Sequence, residues 1–162
     1  MIVFRPKAPF VFSHPAHVVA FGFGAGLAPF APGTFGTLLG WAIAWAIPSE
    51  SAGIHLIVAG VLFLLGIWAC EITGRHLGVA DHPAMVWDEV VAFLIILAMV
   101  PRTYFWQLAA FVAFRFFDIL KPPPIRFLER RYGGGLGVMF DDIVAALYTL
   151  LVLALAKRFF FG

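Results

Sequence analysis

Long apolar runs, separated by prolines or charged residues, constrain this chain more than any other feature. The longest reads GIHLIVAGVLFLLGIWACEIT over residues 53–73. A helix that crosses a bilayer takes about 20 predominantly apolar residues. Of the 162 residues, 62% are hydrophobic and only 12% are charged, which is far more apolar than a soluble domain of this length needs. The sequence therefore predicts an all-α, polytopic helical membrane protein.

Four further apolar segments follow the same pattern. They cover roughly residues 34–47, 86–100, 103–120 and 138–156. With the run at 53–73 they predict about five spans, or four if one of the shorter segments does not cross. Such spans use most of the chain, so we expect residues 1–162 to form a single integral membrane domain.

The N-terminal part is predicted to differ from the spans. Residues 1–15 should be irregular, because their prolines are spaced too closely for a helix. Residues 16–30 are apolar but short and rich in glycine, which favours a re-entrant or interfacial segment. No removable signal peptide is expected, since a clean apolar core with a cleavage site is lacking. The one cysteine, Cys70, lies in an apolar run and is expected to serve packing alone.

The distribution of Lys and Arg predicts the orientation. With the N-terminus inside, the inner face receives seven basic residues, namely Arg5, Lys7, Arg75, Lys121, Arg126, Arg130 and Arg131. The outer face receives only Arg102, Lys157 and Arg158. Cytoplasmic loops carry the excess of basic residues, so the N-terminus is predicted to be cytoplasmic. Because these residues flank apolar runs instead of lining one face, a nucleic-acid partner is not expected.

Five carboxylates fall at one predicted membrane face although they come from distant segments. They are Asp88 and Glu89, Asp118, and the pair Asp141 and Asp142, which is expected in the first turn of its span. An acid at a helix N-terminus could simply be stabilised by the helix dipole. That explanation fails for Asp118, which precedes a helix C-terminus. Ionisable groups at membrane depth are costly unless paired or hydrated, so the cluster predicts a functional site.

The chemistry of this cluster favours a metal ion next to a phosphate. Grouped carboxylates repel one another without a cation, and hard oxygen ligands select Mg²⁺ or Mn²⁺. The nearby Arg115, Lys121 and Arg126 could bind phosphate oxygens. The turn PGTFGT adds backbone N–H groups and the hydroxyls of Thr34 and Thr37, although it could equally be a packing break. The glycines of GGGLGVMFDD could likewise cradle phosphate or allow a tight turn.

Other functions would require a different arrangement of polar residues. A small cation transporter or channel would distribute acids through the membrane depth, whereas here the middles of the spans are almost purely apolar. A lipid phosphatidyltransferase would need a helical aspartate signature that the segment after Asp141 lacks. His82 could assist a proton transfer, but a loop histidine is more often solvated, and His76 is a weaker candidate.

Four segments, LAPFAPGTFGT, MVWDEVVAF, FRFFDILKPPPIR and GGGLGVMFDDIVAA, occur in this order. Together they resemble the phosphatidylglycerophosphatase A family over roughly residues 16–150. The resemblance implies a Mg²⁺-dependent phosphatase of the bacterial cytoplasmic membrane, with its active site facing the cytoplasm. Its lipid substrate would be phosphatidylglycerophosphate, which loses the terminal phosphate to give phosphatidylglycerol.

The resemblance also implies roles for single residues. The catalytic, metal-binding acids would be Asp88, Glu89, Asp141 and Asp142. The third motif would add Asp118 and Lys121. Whether an aspartate or a water molecule attacks the phosphorus is left open by the sequence.

Overall fold

The computed structural model describes residues 6–123 and 133–161, and all regular secondary structure within these ranges is helical. The helices are α1 (Ala8–Val11), α2 (Pro15–Ala20), a 3₁₀ segment (Gly22–Leu27), α3 (Pro32–Ala46), α4 (Ala52–Leu77), α5 (Trp87–Met99), α6 (Tyr104–Leu120) and α7 (Gly134–Phe161). The all-α prediction is confirmed, and α3 to α6 begin within two residues of their predicted starts.

The predicted end of α4 and the predicted start of α7 are wrong. The helix α4 continues to Leu77, and it ends where Gly78 adopts a left-handed φ of 72° and donates its N–H to Arg75 O. The helix α7 already begins at Gly134, so most of the glycine run lies inside the helix and does not form a loop. The N–H of Gly135 donates to Glu71 Oε2 at 2.7 Å. A side chain of α4 thus caps the N-terminus of α7.

The N-terminal residues are more regular than expected. The short helix α1 lies within residues predicted to be irregular, with Pro9 in its first turn, where a missing N–H costs nothing. The helix α2 packs against α4, and His17 Nε2 lies 2.8 Å from His76 Nδ1. Burial lowers the pKa of His17 below its usual value. The helices of this segment are far too short to span a bilayer.

The helix α5 is the centre of the bundle. Its residues from Val90 to Leu94 are fully buried, and it packs against α3, α4 and α7. Two glycines allow α3 to come close: a Cβ at Gly36 would lie 2.7 Å from Val86 O, and one at Gly40 would lie 2.5 Å from Val90 O. The first turn of α5 is thereby held against the beginning of α3.

Two of the described helices are long and apolar enough to cross a bilayer, namely Ala52–Leu77 and Gly134–Phe160. Large apolar side chains such as Ile57 and Leu64 are exposed on the outside of α4, as expected for a surface that faces lipid. The count of about five spans is not confirmed. The helices α3, α5 and α6 have only 15, 13 and 17 residues, fewer than the roughly 20 of a typical span.

Candidate active site

The helix ends predicted to lie at one membrane face do meet in the structure. The starts of α3 and α5, the end of α6 and the first part of α7 surround a cavity of about 330 Å³, here called the acidic cavity. Its lining includes all five predicted carboxylates, Asp88, Glu89, Asp118, Asp141 and Asp142. Arg115 and Lys121 line it as well. The acids and the two cations predicted from the sequence therefore lie together in the fold.

Three of these acids form a group that could hold a metal ion. One carboxylate oxygen from each of Asp88, Glu89 and Asp142 lies within 4.8 Å of the others, and all three residues are buried. The buried atoms Asp88 Oδ1, Glu89 Oε2 and Asp142 Oδ2 accept no hydrogen bond in the described part of the chain. Buried oxygens left unpaired are costly, and a cation among them would supply the missing partner.

The acids of this group come from two helices. Asp88 and Glu89 lie in the first turn of α5, as predicted, where the helix dipole favours negative charge. Asp142 lies in the third turn of α7, because this helix begins at Gly134. The prediction that the Asp141 and Asp142 pair occupies a first turn is therefore wrong, and the dipole does not account for their placement there.

The remaining acids of the cavity are paired with its cations. Arg115 Nη1 lies 2.6 Å from Asp118 Oδ2 and 3.6 Å from Glu89 Oε1. Lys121 Nζ donates to Asp141 Oδ2 at 3.3 Å. The pairing with Arg115, one turn earlier on α6, explains why Asp118 is tolerated near a helix C-terminus. Within the group of three, Glu89 shares Arg115 through this longer contact, whereas Asp88 and Asp142 form no ion pair among the described residues.

Two of the five predicted substrate-binding residues line the acidic cavity. Arg115 and Lys121 line the acidic cavity, but Thr34 and Thr37 are not among its described lining residues. Thr37 is buried and donates its hydroxyl to Gly33 O at 2.9 Å within α3. Arg126 lies outside the described residues. The binding roles of the two threonines and of Arg126 remain predictions.

Two further residues of the cavity were not predicted individually as site residues, although one of them, Gly33, belongs to the predicted turn PGTFGT. Asp81 lines the cavity from the loop before α5. It could have been predicted from the sequence, because it is an acid in a loop between two apolar runs. Gly33 lies at the start of α3, where a Cβ would overlap Glu89 Oε1 and would lie 2.9 Å from both terminal nitrogens of Arg115. The PGTFGT pattern marks the turn, but it does not show that this position must be a glycine, because the neighbours that require it come from two other helices.

The structure gives no support to a transport pathway. The described acids of the site gather at one end of the bundle, and the middle of α5 presents the fully buried Phe93, Leu94 and Ile96. His82 is buried, and its Nδ1 accepts the N–H of Ala84. It is not among the described lining residues of the acidic cavity.

Fold and site together define a class: an apolar, all-helical, membrane-associated protein with a buried acid cluster that could hold a metal ion beside two cations. The chain belongs to the phosphatidylglycerophosphatase A family, whose model matches residues 18–157. This agrees with the resemblance carried by its four motifs.

Three relatives are similar over most of the chain. It is 45% identical to phosphatidylglycerophosphatase A of Haemophilus influenzae over 141 residues, 86% of either chain. It is 37% identical to phosphatidylglycerophosphatase A of Escherichia coli over 147 residues, 88% of this chain and 84% of the relative. A Bacteroides thetaiotaomicron protein, provisionally named a phosphatidylinositol-3-phosphatase, is 39% identical over 148 residues, 86% of this chain and 92% of the relative. No solved structure matches this chain.

Proposed function

We propose that this protein removes the terminal phosphate of phosphatidylglycerophosphate to give phosphatidylglycerol, and that it does so with Mg²⁺. One observation carries the proposal: three buried carboxylate oxygens without hydrogen-bond partners lie in the same cavity as Arg115 and Lys121. This arrangement suits a cation and a phosphate side by side. The names of the Haemophilus influenzae and Escherichia coli relatives support the substrate.

The residues present fit a bound Mg²⁺ ion. Asp88, Glu89 and Asp142 would hold it through the oxygens that otherwise lack partners, and the family motif adds Asp141. All of these ligands are carboxylates, which are hard donors that suit Mg²⁺ better than zinc. When bound, the ion would polarise the phosphoryl oxygens and offset their charge.

The cations of the cavity would bind and orient the phosphate. Arg115 presents a planar guanidinium that can hold two phosphate oxygens, and its contact with Asp118 keeps it in place. Lys121 adds a point charge at the end of α6, and Arg126, Thr34 and Thr37 would complete the binding set. Positive groups positioned in advance stabilise the charge that develops on the phosphoryl group during hydrolysis.

The location of the cavity suits a lipid substrate. The acidic cavity lies at one end of an apolar bundle, so a diacyl tail could remain in the bilayer while the phosphomonoester enters the cavity. In this arrangement α3, α5 and α6 would cross a bilayer together with α4 and α7, and residues 16–30 would lie at the interface. The excess of basic residues would then place the cavity on the cytoplasmic side of a bacterial inner membrane.

The decisive experiment is phosphate release from phosphatidylglycerophosphate by purified protein in detergent. We expect release with Mg²⁺, none with a chelator, and a decrease of about 100-fold or more in Asp88→Asn and Asp142→Asn, since each removes a proposed metal ligand. Glu50→Gln is the matched control, because this acid is exposed and far from the acidic cavity.

Three results would contradict the proposal. Full activity of Asp142→Asn would rule out the proposed metal site, and so would phosphate release that persists in chelator. If folded protein releases no phosphate, phosphatidylglycerophosphate is not its substrate. Phosphatidylinositol 3-phosphate should then be tested, because of the name of the Bacteroides relative.

A further inference from the structure

A second cavity, of about 240 Å³, lies at the other end of the bundle. Its lining includes Glu50 before α4, His55 in the first turn of α4, Arg102 just before α6 and Gln107 near the start of α6. The end of α3 contributes Trp45. Because the beginning of α3 lines the acidic cavity, the two cavities are separated by the length of this helix. We call the second one the distal cavity.

Gln107 is a buried donor that faces this cavity. Only 5% of the residue is exposed, and its Oε1 accepts the indole N–H groups of Trp41 at 2.7 Å and Trp45 at 3.1 Å. An indole can only donate, so the two tryptophans determine which way the amide points. Its NH₂ group has no recorded acceptor among the described residues and is available to a ligand.

Arg102 is held in place beside Gln107. Its Nη2 donates to Ser49 O at 2.8 Å and lies 3.1 Å from His55 Nε2. The Nδ1 atom of His55 lies 3.0 Å from Ser51 O. His55 Nε2 also lies 3.1 Å from Ala44 O. A proton on Nδ1 satisfies the contacts with Ser51 O and Arg102, since Nε2 can then accept from the guanidinium, but it leaves Ala44 O without a donor from this ring. One edge of Arg102 is thus fixed by the protein.

The charge of Arg102 is poorly compensated. Its nearest carboxylate among the described residues is Glu50, with Nη1 and Oε1 3.9 Å apart. The Glu50 side chain is 92% exposed, and an ion pair that is so long and so exposed contributes little. The distal cavity therefore combines a positioned guanidinium with a buried amide donor, which is the donor set for an oxyanion.

We propose that the distal cavity binds an oxyanion, namely the phosphodiester group of a phospholipid at the membrane face opposite the acidic cavity. Trp45 and Tyr104 stack at its edge with ring centroids 5.6 Å apart, and both are exposed. Such aromatic residues are typical of the headgroup level of a bilayer. Inorganic phosphate shares the chemistry of the headgroup and would contact the same donors.

A titration of the purified full-length protein tests this proposal. In neutral detergent with chelator present, three compounds would each be added: dihexanoyl-phosphatidylcholine, a phosphodiester lipid that is neither substrate nor product of the proposed reaction, inorganic phosphate, and phosphate-free dihexanoylglycerol. The readouts are tryptophan fluorescence, since Trp41 and Trp45 contact Gln107 directly, and the midpoint of thermal unfolding. We expect saturable binding of the phosphate-containing lipid and no binding of dihexanoylglycerol.

Two substitutions should change the affinity in opposite directions. Arg102→Gln should weaken lipid binding by about tenfold or more, because it removes a charged donor. Glu50→Gln should strengthen it, by about threefold, because it removes the one carboxylate that the described residues place at the rim. Arg115→Gln alters the acidic cavity alone and should leave this binding unchanged.

The outcomes separate the sources of the anion. Competition by millimolar phosphate would identify a site that also takes the free ion, whereas binding of the lipid alone would identify the headgroup. Equal affinities of the wild type and Arg102→Gln would overturn the proposal. If Arg102→Gln does not fold, Glu50→Gln decides, since an affinity no higher than that of the wild type would overturn it as well.

Discussion

At the scale of single residues, Gly33 shows how a missing side chain allows the acidic cavity to form. A Cβ at this position would overlap Glu89 Oε1 and press on the guanidinium of Arg115. These two side chains approach each other across the beginning of α3, with Nη1 and Oε1 3.6 Å apart. Only a glycine leaves enough room for this ion pair next to the helix.

We therefore expect Gly33→Ala to lower kcat/KM for phosphatidylglycerophosphate by about tenfold or more, because displacing reacting groups by about 1 Å can cost more than that. Gly60→Ala is the matched control, since a Cβ there would meet nothing within 4 Å. It should leave activity unchanged and stabilise α4 slightly, because alanine favours a helix. Steady-state kinetics and thermal unfolding of both variants measure this, and equal activities would contradict the packing argument.

Asp118 shows what could be predicted for single residues. Its position near a helix C-terminus identified it as functional, because the dipole disfavours a negative charge there. The sequence contained the partner as well, since Arg115 precedes it by one helical turn. The 2.6 Å contact between them, and the additional approach to Glu89, depend on how α6 packs beside α5.

At the scale of helices, the start of α7 depends on a residue of α4. Glu71 Oε2 accepts the N–H of Gly135, while Glu71 Oε1 is paired with Arg75 at 2.7 Å. A carboxylate at a helix N-terminus satisfies a free N–H group and interacts favourably with the dipole. This contact lies in the first turn of α7, and Asp142 follows two turns later in the same helix.

Glu71→Ala should lower the free energy of unfolding by about 1 kcal/mol, the usual effect of losing a helix cap. It should also reduce phosphatase activity, because Asp142 follows in the same helix. Arg75→Ala removes only an exposed pair within α4 and should cost less than about 0.5 kcal/mol. Denaturation in detergent and phosphate release would measure both effects. A larger loss in Arg75→Ala than in Glu71→Ala would show that the cap is unimportant.

At the scale of the whole molecule, the two cavities face opposite ends of one bundle. If α4 spans the membrane with its end on the cytoplasmic side, Glu50 and Val79 must lie on opposite sides. Both are exposed, and they flank the two ends of α4. Cys70 is buried, so an added thiol can be labelled selectively.

In a Cys70→Ala background, Glu50→Cys should react with an impermeant maleimide on intact cells. Val79→Cys should react only after the inner membrane is permeabilised, because the basic residues favour that end on the inside. Labelling efficiencies before and after permeabilisation measure the orientation. The reverse pattern would place the acidic cavity outside, and equal labelling on one side would show that α4 does not span.

The sequence by itself determined the helical class, the approximate helix limits and the acids that gather at one end. The length of apolar runs, the positions of prolines and the placement of charges are local properties of the sequence, and they do not depend on how the helices pack. Where the sequence prediction was wrong, as at the glycines that begin α7, the helix start has a partner distant in sequence: Glu71, 64 residues away, accepts the N–H of Gly135.

Only the tertiary structure decided which acids remain unpaired. It joined Asp118 to Arg115 and Asp141 to Lys121, brought Glu89 within 3.6 Å of the same guanidinium, and left Asp88 and Asp142 without an ion pair among the described residues. It also revealed the distal cavity, whose lining residues come from α3, the start of α4, α5 and the start of α6. Distances between side chains of different helices depend on close packing, such as the contact of Gly36 and Gly40 with α5, and no local pattern encodes them.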